Sequence, residues 1–155
     1  MRARALQYLA RREYSRAELR GKLLPHVQMG EDPGQSFDSS GPVDLDALLD
    51  DLTARGWLSD ARATTQLLHA KRNRFGTQRI VHDLHQKGIS EELVRAALPA
   101  LKESELDAAR GVWQRKFGVL PQDAREKARQ MRFLQSRGFG FDVIIQVLIL
   151  AETEN

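Results

Sequence analysis

An aromatic residue followed by serine or glycine closes a basic helical segment three times in this chain, and that recurrence limits the fold more than any other feature. The phrases are Arg12-Glu13-Tyr14-Ser15, Asn73-Arg74-Phe75-Gly76 and Arg115-Lys116-Phe117-Gly118. A helical pattern follows each, and further breaks stand at Lys87-Gly88-Ile89-Ser90 and Arg137-Gly138-Phe139-Gly140. The last two aromatics lie 42 positions apart and the first two 61. Removing the Pro/Gly-rich stretch 25–42 brings the first interval close to the second. Three divergent helical units of about 40 residues make a repeat architecture, whose members bury their apolar faces largely against neighbours. Such an array presents extended surface, which suits a binder better than a pocket enzyme.

Each unit reads as three helices, giving an all-α chain of nine main helices in an elongated array, with repeats at 1–56, 57–101 and 102–155. In the first, Ala5, Leu6, Leu9 and Ala10 form a stripe ending at Tyr14. Ser15 caps the next helix and Glu18 is placed to return the capping-box bond. Pro25 should end that helix, because the residue before a proline is pushed out of the α region. Residues 25–42 then read as a long exposed loop, tolerant of shortening. Leu45, Leu48, Leu49 and Leu52 supply the third helix, ended by Gly56. Ser59-Asp60 opens the second unit, and Ser90-Glu91-Glu92 starts its last helix with a hydroxyl cap and first-turn acids. The polar step Lys102-Glu103-Ser104 should separate it from the third unit. No stretch alternates at period two long enough for a strand.

The corners need explaining. Ser15, Gly76 and Gly118 cap helices or permit unusual backbone angles. The preceding ring can plug the gap between three short helices, so Tyr14, Phe75, Trp113 and Phe117 are expected in the cores. Stacking of such a ring on a nucleobase is the competing use.

Composition excludes several classes. Cysteine is absent, which rules out disulfides and thiolate metal sites and suits a reducing cytoplasm. The start, Met1 to Ala5, runs into a charged helix instead of an apolar signal core, and Val143–Ala151 is too short to span a bilayer. No membrane partner is expected. There is no phosphate-binding glycine loop, dinucleotide fingerprint or nucleophile elbow, so no catalytic residue, cofactor or metal is expected. His82 and His85 have helical spacing but no third ligand. The acids of 44–51 sit opposite leucines and read as a solvated face.

Net charge is only +3, but it is unevenly placed. Residues 1–24 carry +5, 25–60 carry −7, 61–90 carry +5, 91–108 carry −3 and 109–155 carry +3. Basic helices alternating with acidic ones suit an array with one phosphate-facing side. The candidate contact residues are Arg11, Arg12 and Arg16; Arg72, Arg74, Arg79 and Lys87; and Arg115, Lys116, Arg129, Arg132 and Arg137. The planar arginine fork fits phosphate and carboxylate alike, so a nucleic-acid backbone and an acidic protein groove both remain open.

Trp113-Gln114-Arg115-Lys116-Phe117-Gly118, Lys127-Ala128-Arg129-Gln130, Arg132-Phe133-Leu134 and Arg137-Gly138-Phe139 resemble the third repeat of the RecX family. Tyr8 to Ser15 with Glu18-Leu19 is similar to its first repeat, and Gly56–Ala61 with Gly88-Ile89-Ser90 to segments around its second. The chain departs from the family in its longer 25–42 stretch and in Ala63, where Phe is common. The resemblance implies a non-catalytic, monomeric cytoplasmic regulator of the RecA recombinase. Its three tandem three-helix repeats would lie in the groove of the RecA–single-stranded DNA filament. There it would restrain ATP hydrolysis, strand exchange and coprotease activity in DNA repair, homologous recombination and the SOS response. Double-stranded DNA would bind more weakly. Two other readings remain: a sequence-tolerant DNA-binding repeat acting without RecA, and a metal-dependent nucleic-acid enzyme using the 44–51 acids.

Overall fold

Caps and apolar stripes set the helices. The computed structural model describes residues 1–29 and 44–154, which form eight helices and, among those described, no strand. They are α1 (Arg2–Arg11), α2 (Arg16–Met29), α3 (Leu45–Ala54), α4 (Asp60–Lys71), α5 (Thr77–Gln86), α6 (Glu91–Lys116), α7 (Ala124–Ser136) and α8 (Phe141–Thr153). The Asp44 carboxylate accepts from the Ala47 N–H, Ser90 Oγ from Leu93 N–H and Asp123 from Glu126 N–H. Each satisfies a donor that a helix start would otherwise leave open.

Two expectations about helix ends fail, for one reason. Pro25 does not stop α2, which runs through it to Met29. Leu23 is fully buried, and Leu24 and Val27 pack on the same core on either side of the proline, so packing holds the helix across the missing hydrogen bond. The rest of the expected loop, residues 30–42, lies outside the described residues. Likewise, residues 102–104 do not break the chain. α6 continues through Pro99 and the polar step because Ala97, Leu101, Glu105, Ala108 and Ala109 keep one face buried. The expected last helix of the second repeat and first helix of the third are therefore one 26-residue element.

The chain divides into two compact units, Met1–Gln66 with Lys87–Ile89, and Leu67–Gln86 with Ser90–Asn155. In the first, α2 packs against α1 and α3 around Ala5, Tyr14, Leu19, Leu23, Leu45, Leu49, Leu52 and Leu58. Its corner is polar and closed. Ser15 is fully buried and its hydroxyl donates to the Lys87 carbonyl at 2.5 Å. Ser15 Oγ accepts from the Glu18 N–H, and Glu18 Oε1 from the Ser15 N–H at 3.0 Å, the capping box expected from sequence. The other Glu18 oxygen accepts from Arg12 Nη2 and Lys87 Nζ at 3.0 and 2.9 Å.

In the second unit α6 is the spine, packed by α5, α7 and α8. Its core gathers Ala109, Val112, Trp113, Leu134, Phe139, Ile144, Val147 and Leu148. Buried Trp113 Nε1 donates to the buried Gln130 Oε1 at 2.8 Å, and Gln130 Nε2 donates on to the Val119 carbonyl. The turn after α7 docks directly on the start of α5: the Gly76 N–H donates to the Arg137 carbonyl at 2.8 Å and the Gln78 N–H to the Gly138 carbonyl at 3.2 Å. Gly138 has φ +90°, and a Cβ there would lie 2.3 Å from Arg79 Cβ. A Cβ on Gly76 would lie 2.3 Å from the Gly138 carbonyl oxygen. Buried Glu105 of α6 ties the same region, accepting from the Thr77 hydroxyl and the Gly140 N–H.

Three outcomes follow from this packing. Trp113→Ala removes a buried ring and orphans Gln130, and denaturant unfolding should show a loss on the order of 3–5 kcal/mol. Gly138→Ala meets both a left-handed backbone and a backbone neighbour. Its loss should exceed the ~1 kcal/mol of an ordinary helix-surface glycine change, read as a fall in melting temperature. For Glu18, burial pushes the carboxyl pKa up, but the Ser15 N–H, Arg12 and Lys87 together outweigh it and hold the pKa below the ordinary value. A depressed carboxylate pKa stabilises the fold above the unfolded value, near about 4.3, and that contribution disappears as pH falls through the folded value. Acid titration of stability should therefore be shallower in Glu18→Gln than in the parent below that range.

Candidate functional site

Both units are rich in arginine, but their cations have different partners. In the first unit the partners are carboxylates. Arg16 pairs with Asp50 at 2.7 Å and reaches Asp46, and Arg20 pairs with Asp46 at 3.2 Å. Asp51 lies between Arg2 and Arg55 at 2.5 and 3.1 Å, and these hold its carboxyl below the usual range. Arg62 pairs with Glu13. The acids of α3 lie on its exposed face, as expected, and there they also neutralise arginines of α1, α2 and the end of α3 itself. Of the candidate residues, Arg12 and Lys87 are engaged on Glu18, with Arg12 also 3.7 Å above the Tyr14 ring. Arg16 is held by α3, and only Arg11, exposed at the end of α1, is without an ion pair among the described residues.

In the second unit the partners are aromatic rings. Phe75, between α4 and α5, has Arg79, Arg137, Lys71 and Arg74 at 5.0, 5.4, 5.6 and 5.8 Å from its centroid. Arg137 also lies 5.2 Å from the Phe133 ring of α7, so one guanidinium serves two rings. Lys116 sits 5.3 Å from Phe133, and Arg129 5.7 Å from Phe117. Phe133 and Phe117 meet edge to face at 5.5 Å and 88°. Six cations and three rings therefore form one connected patch, in which each cation–π contact is worth about 0.5–1 kcal/mol where exposed. Its internal ion pairs fall on Asp83, which takes Lys71 at 2.6 Å and Arg79 at 3.6 Å. Glu126 lines a hollow with Lys116, Phe117 and Arg129, but its carboxylate accepts from the Gln122 N–H.

These rings are only partly core. Tyr14 and Trp113 are buried, whereas Phe75, Phe117 and Phe133 are half-buried, the last two packed against the core of this unit and all three with cations beside the ring. The expected plugs at 75 and 117 thus also form part of a surface. Arg115, Arg129 and Arg132 are exposed, Arg72 and Arg137 half-buried, and none of the five is ion-paired among the described residues. Phe133 and Lys71 join the patch although neither is among the candidate contact residues. The four-residue spacing of Arg129, Phe133 and the C-cap Arg137 along α7 is the signal that could have found the first, since such positions share one helix face.

Other chemistry is sparse. His85 Nε2 lies 2.6 Å from Glu91, and no cluster of three or more His, Asp or Glu among the described residues could hold a metal ion. No described helix is long and apolar enough to cross a membrane.

The family model of the RecX second three-helix domain matches residues 59–98, covering α4, α5 and the first part of α6. That of the RecX third three-helix domain matches 103–148, the remainder of α6 with α7 and much of α8. The whole chain is 48% identical to a regulatory protein RecX of Leptothrix cholodnii, covering 91% of that protein. It is 43% identical over 148 residues to one of Chromobacterium violaceum, covering 96% of this chain and 88% of that one. The crystal structure of RecX from Lactobacillus salivarius superposes with a TM-score of 0.73 at 15% identity, over 98% of this chain and 94% of that one. Tandem three-helix units, matched in order and at full length, place this chain in the RecX family of regulatory proteins.

Proposed function

We propose that the protein binds the RecA–single-stranded DNA filament and restrains its ATP hydrolysis, strand exchange and coprotease activity, without turning over a substrate or using a cofactor. The observation that carries this reading is the six-cation patch on Phe75, Phe133 and Phe117, which has few acids of its own to neutralise it. Cations held over rings remain available to an outside anion, and their guanidinium planes and partly open ring faces suit a nucleic-acid strand. Family membership supports a regulatory role. The protein acts as a monomer in the cytoplasm, in recombination, repair and the SOS response.

The three repeats, 1–56, 57–101 and 102–155, contribute unequally. Contacts come mainly from the second and third, which supply Phe75 and the Phe117–Phe133 pair, because the first repeat's arginines are largely committed to its own acids. An extended surface on an extended filament lets several modest contacts add through effective concentration.

The test is inhibition of single-strand-dependent ATP hydrolysis by RecA. The triple variants Arg72/Arg74/Arg79→Ala and Arg115/Lys116/Arg132→Ala should each weaken inhibition by at least about tenfold, with helicity unchanged. Arg16→Ala should leave inhibition within about twofold and slightly lower stability, as befits an exposed pair. Full inhibition by both folded triple variants would eliminate the patch as the contact surface. Equal DNA binding with no effect on RecA at all would favour a DNA-binding repeat that acts alone.

A further inference from the structure

Beside the ring patch, the second unit holds a cleft of about 550 Å³ that the aromatic contacts do not use. Arg72 and Asn73, just past α4, line one side; Ser104, Asp107, Gly111 and Arg115 of α6 line the other. The four α6 positions fall at spacings of three, four and four, which places them on one helix face. Gly111 keeps the floor low, since a Cβ there would lie 3.4 Å from Arg115 Nη1. The guanidinium therefore lies back along the helix over a residue without a side chain. Neither Arg72 nor Arg115 makes an ion pair among the described residues, although Asp107 lines the same cleft.

The chemistry is mixed, and the mixture selects the ligand. Two guanidinium groups and an amide ask for an anion; a carboxylate in the same cleft asks for an N–H or O–H donor. An acidic side chain from a protein would satisfy the arginines but bring no donor of its own for Asp107. A nucleotide carries both kinds of group, a phosphodiester with one negative charge and, on adenine, cytosine and guanine, an exocyclic amino group. The cleft is open to solvent on one side and has more room than a lone carboxylate needs. In a duplex, base edges are reached only along the grooves, whereas a single strand can splay a base out and bring it together with its phosphate into one cleft.

We propose that this cleft is a nucleotide subsite for single-stranded nucleic acid, with Arg72 and Arg115 on the backbone phosphodiester and Asp107 accepting from the amino group of the base. The inference deepens the functional reading above and rests on it for the orientation of this unit toward a strand. Thymine lacks the exocyclic amino group and flanks its one base donor, N3–H, with two carbonyl oxygens that would face the Asp107 carboxylate, so the subsite discriminates against it.

Naked oligonucleotides separate this claim from the action on RecA. Fluorescence anisotropy with labelled oligo(dC) and oligo(dT), titrated against salt, should show oligo(dC) binding several-fold tighter. Arg72→Ala/Arg115→Ala, with helicity checked, should weaken oligo(dC) binding by about tenfold and reduce the log–log salt slope by about 0.7 for each phosphate no longer held. Asp107→Ala should abolish the preference for oligo(dC). An unchanged affinity and slope in the folded double variant would overturn the subsite, even if the parent inhibits RecA. Loss of RecA inhibition with oligonucleotide binding intact would also overturn it, assigning the cleft to an acidic protein segment. Equal parent binding of oligo(dC) and oligo(dT) would remove Asp107 from the site. If the parent fails to inhibit RecA while the double variant loses oligo(dC) binding and Asp107→Ala loses the preference, the subsite stands and the filament reading falls.

Discussion

Gly76 and Gly138 bring two backbone segments, distant in sequence, within direct hydrogen-bonding contact, and the second unit's surface depends on that approach. No side chain fits between them: a Cβ at either position would lie 2.3 Å from the opposing chain. The two N–H···O bonds made there tie the start of α5 to the turn after α7. Because Phe75 precedes Gly76 and Arg137 precedes Gly138, the same contact sets the Arg137 guanidinium over the Phe75 ring. Glu105 holds the ends of α5 and α8 from beneath with two further hydrogen bonds. The corner thus fixes the position of the cation–ring patch.

The two units handle positive charge in different ways. In the first, α3 carries Asp46, Asp50 and Asp51 where Arg2, Arg16, Arg20 and Arg55 can reach them. Exposed pairs of this kind contribute little stability, but they do consume the charge as seen by an outside anion. In the second, the patch sets its cations mostly beside rings, with Asp83 alone among the described acids ion-paired to two of them. A cation–π contact orients a guanidinium at modest energetic gain while leaving its charge uncompensated. A phosphate backbone would therefore meet a more strongly positive surface on the second unit, although the sequence places +5 in the first 24 residues.

Local chemistry in the sequence was legible wherever a few adjacent residues decide the outcome. Ser15 with Glu18, and Ser90, each cap the helix that follows, because capping depends on residues three positions apart. Of the two corner glycines expected to permit unusual backbone angles, Gly118 has positive φ and Gly76 does not; the other positive-φ glycines among the described residues are Gly56, Gly88 and Gly138, which the sequence marked only as breaks. Pro25 and the polar step at 102–104 misled for the opposite reason: a helix already packed through Leu24 and Val27, or through Leu101 and Glu105, continues past a locally unfavourable residue. Propensity is a weak prior, and tertiary burial overrides it.

The sequence by itself determined that the chain is all-helical, that aromatic corners recur, that thiol chemistry is absent and that basic residues crowd those corners. These follow from composition and from spacings of three and four, which are properties of a helix regardless of its neighbours. Only the tertiary structure decided which of those basic residues still present charge. Arg16 and Arg137 look alike in sequence, each just before or just after a helix corner. One has aspartates of α3 within reach and the other has Phe75 and Phe133, because the partner of a long side chain is whatever packing brings near its tip, not what lies beside it along the chain.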